Sequence, residues 1–222
     1  MINCNFWPIT STCVRVSKLR ILLACEESQA VTKELRSRGH EAYSCDLYPC
    51  SGGHPEWHLQ QDVSELLEQE WDMIIAFPPC TYLTNGGAVR MYPQKGVVDP
   101  ARLAKAMEAK EFFMQFYNAD CPRIAIENPM PMKIVGLPEK TQVIQPYQFG
   151  DPYSKRTYLW LKGLPNLEPT DVLDEYQPFI NGGGGRLNRK NYKGKKFASG
   201  SKGRSKTFPG IARAMAEQWT TE

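Results

Sequence analysis

No stretch of the chain approaches the roughly 20 consecutive apolar residues that a membrane-spanning helix needs, so a membrane-embedded helical protein is not expected. No CxxC pair occurs either. The seven cysteines, at positions 4, 13, 25, 45, 50, 80 and 121, are odd in number. That argues against a disulfide framework and for reduced thiols in a cytoplasmic compartment. The first twenty residues carry polar and charged groups throughout and lack an apolar block, so a secretory signal is not expected. Acidic residues are missing from one segment altogether. Between Arg186 and Lys206 there are nine Lys or Arg and no Asp or Glu, which leaves 18 basic and 24 acidic residues, a net of −6, in the remainder. Such a run is read either as a contact for a polyanionic partner or as a solvated basic loop.

What is present suits one globular domain of 222 residues with 41% apolar content. Arg20–Ala24 reads as a buried strand, followed by a helix from Gln29 to Arg38 with Ser28 as its cap and Gly39 at its end. Glu41–Cys45 is a second strand, with Asp46 at its carboxyl end. Asp62 precedes VSELLEQE, which reads as a short amphipathic helix. Met73–Phe77 is another buried strand, stopping at Pro78-Pro79-Cys80. Asp99-Pro100 opens a helix to Tyr117, with Leu103, Ala106, Met107, Phe113 and Phe116 as its apolar stripe. Arg123–Ile126 and Thr157–Leu161 are further strands, and residues 208–219 form a tail helix with Ile211, Met215 and Trp219 on one face. Strands alternating with helices imply an α/β fold with a mostly parallel sheet. The domain is expected to comprise residues 18–162 together with 207–222. Residues 1–17 are then an ordered arm, a loose tail or a start-site artefact, and the Pro-, Gly- and Lys-rich residues 163–206 a small irregular insertion.

Ligands bind such sheets outside the carboxyl ends of the strands. Cys25, Glu26, Glu27, Asp46, Cys80 and Glu127 all follow predicted strands. Phe77-Pro78-Pro79-Cys80 is the most informative piece. Two prolines stiffen the turn and remove two donors, presenting a thiol from a rigid strand end, and the following TYLTNGGAV reads as a loop that closes over substrate. A buried core cysteine is the plain alternative for this tetrapeptide alone. Glu127-Asn128-Pro129 shifts the balance, because it adds a carboxylate at the end of the neighbouring predicted strand. Attack of a thiolate on carbon 6 of a pyrimidine needs an acid near ring nitrogen 3 to spread the developing charge.

With these pieces in order, the sequence resembles the cytosine-5 DNA methyltransferases, in particular the short forms of phage and prophage genomes, over roughly residues 20–162 with a weaker echo at 207–219. The resemblance implies a Rossmann-like methyltransferase domain, with Cys80 as nucleophile and Glu127 bonding the base. It implies Lys155 or Arg156 as the cation that contacts cytosine. S-adenosyl-L-methionine would be held by Ala24, Cys25, Glu26, Glu27, Asp46, Asp62 and Pro78, with Asp46 on the ribose and Asp62 on the adenine. The substrate would be double-stranded DNA with its target base flipped out. Arg186, Arg189, Lys190, Lys193, Lys195 and Lys196 would contact DNA, mainly its phosphates. A bacterial host cytoplasm and protection against restriction are the expected setting.

The sequence departs from the family at two places. Its first motif, Ala24-Cys25-Glu26-Glu27-Ser28, contains no glycine, and the family's Q-x-R-x-R element aligns as Tyr153, Lys155 and Thr157. Cys45, Cys50, His54 and His58 have C-x4-C-x3-H-x3-H spacing, readable as zinc ligands or, with more weight, as a loop rich in Pro and Gly beside the cofactor. No resident metal is therefore expected. Three rival functions remain open at this level: methylation of an exocyclic amine, the same cysteine chemistry on RNA, a nucleotide or another carbon-5 modification, and a decayed homologue that binds without turnover.

Overall fold

In the computed structural model the described residues are 17–179 and 206–221. Residues 1–16 and the six basic candidates from Arg186 to Lys196 lie outside them. The strands are β1 (Arg20–Ala24), β2 (Glu41–Asp46), β3 (His58–Gln60), β4 (Met73–Ala76), β5 (Ile124–Pro129), β6 (Gln142–Ile144), β7 (Tyr153–Ser154), β8 (Thr157–Lys162) and β9 (Gln177–Pro178). The helices are α1 (Ala30–Ser37), α2 (Ala88–Met91), α3 (Pro100–Tyr117) and α4 (Pro209–Gln218).

Seven strands form one sheet in the order β3-β2-β1-β4-β5-β8-β6, and β7 pairs with β9 in a separate two-stranded sheet. From β3 to β5 every neighbour is parallel, and β8 runs antiparallel to both β5 and β6. This is the α/β, Rossmann-like architecture expected of the sequence, with the chain reversing direction across the sheet beside β1 and β4. Sheet strands buried on both faces read as continuous apolar runs. Ile21, Leu22, Leu23 and Ala24 are all fully buried, as are Met73, Ile75 and Ala76. One face carries α1 and α4, and the other carries α3 through Ala106, Phe113 and Phe116.

Several local expectations are corrected. Helix α1 starts at Ala30, its N-cap is Gln29 in the left-handed region, and Ser28 is not the cap. VSELLEQE forms only a 3-10 turn, Val63–Leu66, capped by Asp62 through Ser64 N–H. The fourth predicted strand runs on through Glu127, Asn128 and Pro129, because antiparallel β8 supplies partners as far as Thr157 opposite Pro129. The segment after Cys80 is built, not loose. It contains α2, and Leu83 and Met91 are fully buried beneath it. Leu164 and Leu167 join the same core as α4, and Trp219 Nε1 donates to the Pro165 carbonyl at 3.0 Å. Among the described residues no helix is long and apolar enough to cross a membrane.

The start of α4 is packed backbone to backbone. A Cβ placed on Gly210 would lie 1.8 Å from the Phe149 carbonyl oxygen, and Gly210 N–H donates to Asp151 Oδ2 at 2.9 Å. Neither backbone yields without moving the helix. Gly210→Ala is therefore expected to cost about 1–3 kcal/mol, measured as a lower midpoint in urea unfolding.

Candidate active site

The polar residues that follow the strands gather at the carboxyl edge of the sheet. The first loop makes its tight turn without glycine: Cys25 has φ 60 and Gln29 has φ 54. Left-handed backbone at such residues costs about 1–3 kcal/mol each and persists only where surroundings enforce it. Here they do. Glu26 N–H donates to the Cys45 carbonyl, and Ser51 N–H to the Glu27 carbonyl. Gln29 is fully buried and its amide bonds Ser44 Oγ (3.1 Å) and both polar backbone atoms of His54 (2.8 and 3.1 Å). Glu26 is turned inward. Its carboxylate accepts from Val31 N–H (2.6 Å), Thr32 N–H (3.2 Å) and Thr32 Oγ1 (2.6 Å), taking up orphan donors at the start of α1. Burial pushes its pKa up to about 7, against the pull of these hydrogen bonds and of Lys33.

Around this loop two further carboxylates converge. Asp46 ends β2 and accepts from Tyr48 N–H at 3.0 Å. Asp62 accepts from Ser64 N–H at 2.9 Å, which holds its pKa below the ordinary aspartate value. Both lie near enough to Cys25 to add to the effect of burial in raising that thiol's pKa. Beside Asp46, Leu47 is 67% exposed, an apolar surface next to two acids in the crevice where such sheets take their ligands. Ala24 is fully buried and its carbonyl accepts from Phe77 N–H, linking this loop to the end of β4. Three of the four residues weighed as zinc ligands have other partners. Cys45 Sγ reaches the Gln61 carbonyl, His54 stacks on Trp57, and His58 Nδ1 meets Ser44 Oγ. Among the described residues no three His, Cys, Asp or Glu side chains cluster as a metal site.

The second half of the crevice is the turn after β4. Pro78 is buried, Pro79 exposed and Cys80 half-buried. Asn128, fully buried on the adjacent strand β5, donates from Nδ2 to the Pro78 carbonyl at 2.9 Å. Beyond the nucleophile candidate, the Cys80 carbonyl accepts from Leu83 and Thr84 N–H. Met132 N–H donates to Leu83 and Asn85 N–H to the Met130 carbonyl, with a bridge between Thr84 and Pro131. The segments leaving β4 and β5 are thus laced together. Glu127 sits between them on β5, half-buried. Desolvation raises its pKa, while Lys155 and the Thr157 hydroxyl act in the opposite direction. Of the two candidate cations, Lys155 is the one that acts on this carboxyl group, and Arg156 is exposed. Tyr153 packs against Phe179 and Phe208 instead, at ring distances of 5.4 and 5.7 Å. Asn128, Thr157 and Leu47 had no assigned role in the sequence. Asn128 carried a signal as the residue following the key glutamate, and Thr157 as the last position aligned with Q-x-R-x-R.

No protein-family profile and no curated protein matches the chain. Solved structures do resemble it. One is an Escherichia coli prophage protein described as a DNA modification methyltransferase (15% identity, 68% of this chain and 51% of that one, TM-score 0.41). Another is the Entamoeba histolytica methyltransferase EhMeth (12%, 78% and 62%, 0.45), and a third the S. pombe Dnmt2 methyltransferase (13%, 72% and 52%, 0.40). The chain therefore spans between about half and three-fifths of the length of these three structures.

Two outcomes follow from the geometry. Because Glu26 binds its proton more tightly in the folded chain, stability falls as pH rises from about 4.5 to about 7. Urea titrations across that window should show the slope, flattened in Glu26→Gln. Asn128→Ala leaves the buried Pro78 carbonyl without its donor, and should cost about 1–3 kcal/mol of stability, read from the same titrations.

Proposed function

We propose that this chain methylates carbon 5 of cytosine in DNA, using S-adenosyl-L-methionine and a covalent bond from Cys80. The observation that carries the reading is the Asn128 tether, which sets the Pro78–Cys80 turn against the strand that bears Glu127. A thiol and a carboxyl group with raised pKa on neighbouring strand ends suit addition to a pyrimidine.

In this reading Cys80 adds as thiolate to carbon 6 of a base flipped from the duplex. Glu127, whose pKa burial raises, shares a proton with ring nitrogen 3 in its acid form and so spreads the charge that develops. Lys155 acts electrostatically on that carboxyl group and would orient it and meet the base. Carbon 5 takes up the methyl group and then loses its proton, and the electron pair so released expels Cys80 as thiolate. Bound S-adenosyl-L-methionine would supply the electrophilic methyl group. The chain's donor set fits that ligand: Asp46 and Asp62 offer carboxylates for ribose hydroxyls and an amino group, and exposed Leu47 offers an apolar face for an adenine ring. Cys25, Glu27 and Pro78 would complete the cofactor site in this reading, and Ala24 and Glu26 hold the loop in shape from within. The basic residues Arg186, Arg189, Lys190, Lys193, Lys195 and Lys196 would supply phosphate contacts with strong salt dependence and little sequence reading.

The test is covalent trapping on DNA containing 5-fluorocytosine in the presence of the methyl donor, where the missing carbon-5 proton stalls the adduct. A denaturation-resistant complex is expected with the wild type and none with Cys80→Ala. Glu127→Gln should slow its formation by roughly 10²–10⁴-fold. With the wild type the rate should fall as pH rises through the raised pKa of Glu127, since the carboxylate form has no proton to share. Absence of any adduct on DNA and on the matching RNA would refute the cysteine chemistry. An adduct on RNA alone would move the substrate.

A further inference from the structure

We propose that a groove along α1, at the amino ends of β1 and β2, is a binding site for a phosphate group. It has a volume of about 510 Å³ and is lined by Lys18, Lys33, Arg36, His40, His54 and Trp57 among others. Lys18 precedes β1 and His40 precedes β2, whereas Cys80 and Glu127 lie at the carboxyl ends of their strands. The groove therefore lies away from Cys80 and Glu127, although His54, which lines it, is tied through Gln29 to the loop after β1, and it does not depend on the cytosine chemistry.

The first observation is an unmet donor. His40 is 3% exposed, and its Nδ1 accepts from Leu19 N–H at 3.3 Å. That bond fixes the tautomer, so the proton sits on Nε2. Nε2 is buried and has no hydrogen-bond partner. A buried polar atom left unpaired is destabilising, and an anion seated in the groove that His40 lines would supply the missing partner. Burial, with the nearby Arg38 and Arg123, holds the ring's pKa below the ordinary histidine value, so His40 acts as a neutral donor.

The second observation is a prearranged cation. Arg36 Nε donates to the Ala42 carbonyl at 2.7 Å, and its guanidinium lies 4.7 Å from the Tyr43 ring centre and 5.2 Å from that of Trp57. A guanidinium held this way loses little freedom on binding a tetrahedral oxyanion, whose geometry it matches. Lys33, exposed on the same helix, adds a second charge. Opposing charges are already engaged: Glu41 with Lys18 at 3.4 Å and Glu56 with His54 at 3.1 Å. The carbonyl end of α1 disfavours an anion. However, its Leu35 and Arg36 carbonyls accept from Arg38, Gly39 and His40 N–H, so the cationic side chains outweigh it. Trp57 is covered by His54, stacked at 3.9 Å, with Arg36 also over its ring, so a phosphate suits the groove better than an aromatic ring seeking a stacking partner.

The phosphate can belong to a nucleic-acid backbone or to a small molecule. The full chain, labelled with ¹⁵N-histidine, is titrated first with inorganic phosphate and then with oligothymidylate, which offers no cytosine to Cys80. With three histidines in the chain, the His40 Nε2 signal is readily assigned. Phosphate is expected to shift it, with affinity falling about tenfold in Lys33→Gln and in Arg36→Gln, both checked for intact folding by circular dichroism. If oligothymidylate shifts the same signal and is weakened by the same variants, the ligand is a nucleic-acid backbone. If only inorganic phosphate does so, it is a small phosphate-bearing molecule. An unmoved His40 signal with both probes, or binding unaltered in both variants, would overturn the site.

Discussion

A pair of parallel strands determines where β4 and β5 lie, but not where the chain goes once it leaves them. Beyond the Phe77 N–H bond to the Ala24 carbonyl there is no ladder to rely on before Cys80, and the two prolines can donate nothing. Asn128 closes that gap. Its amide reaches from β5 to the Pro78 carbonyl at 2.9 Å, in a fully buried position where water cannot compete. An amide suits this place because the carbonyl needs a donor without adding charge to the core. The antiparallel partner β8 matters just as much, since it carries β5 on to Pro129 and so keeps Glu127 and Asn128 in extended backbone. Alternation along the strand then sends neighbouring side chains to opposite faces, so one residue can tie the turn while the other stays beside the crevice.

The two halves of the crevice use burial in different ways. At Glu127, desolvation favours the protonated acid, with Lys155 and Thr157 moderating the effect. At Glu26, burial also lifts the pKa, but three hydrogen bonds commit the carboxyl group to the start of α1. One acid therefore keeps its carboxyl group at the crevice and the other commits it to support, although both follow strands and look alike in the sequence. Asp46 and Asp62 form a third case. Each accepts from a nearby backbone N–H and remains at the surface, where a polar ligand can reach it.

The loop after β1 shows how a tight turn is reached without glycine. Cys25 and Gln29 accept left-handed backbone, and the cost is offset by a buried network that joins Gln29 to Ser44 and His54. The same loop ties β1, β2 and the Ser51–His54 segment into one unit. A rigid frame of this kind suits the acids and the apolar surface of Leu47 that surround it.

Patterns confined to a few neighbouring residues were legible in the chain itself. Continuous apolar runs marked β1 and β4 as doubly buried strands, Asp99-Pro100 marked the start of α3, and the order of Pro-Pro-Cys and Glu-Asn-Pro marked the candidate site. Those features rest on local sterics, capping and hydrophobic period, which neighbouring residues decide among themselves. The antiparallel entry of β8, the inward turn of Glu26, the reach of Asn128 to Pro78 and the influence of Lys155 on Glu127 arose only on folding. Each depends on a partner far along the chain or on burial from every side, and a side chain's protonation and hydrogen bonds take their energy from that assembled surrounding.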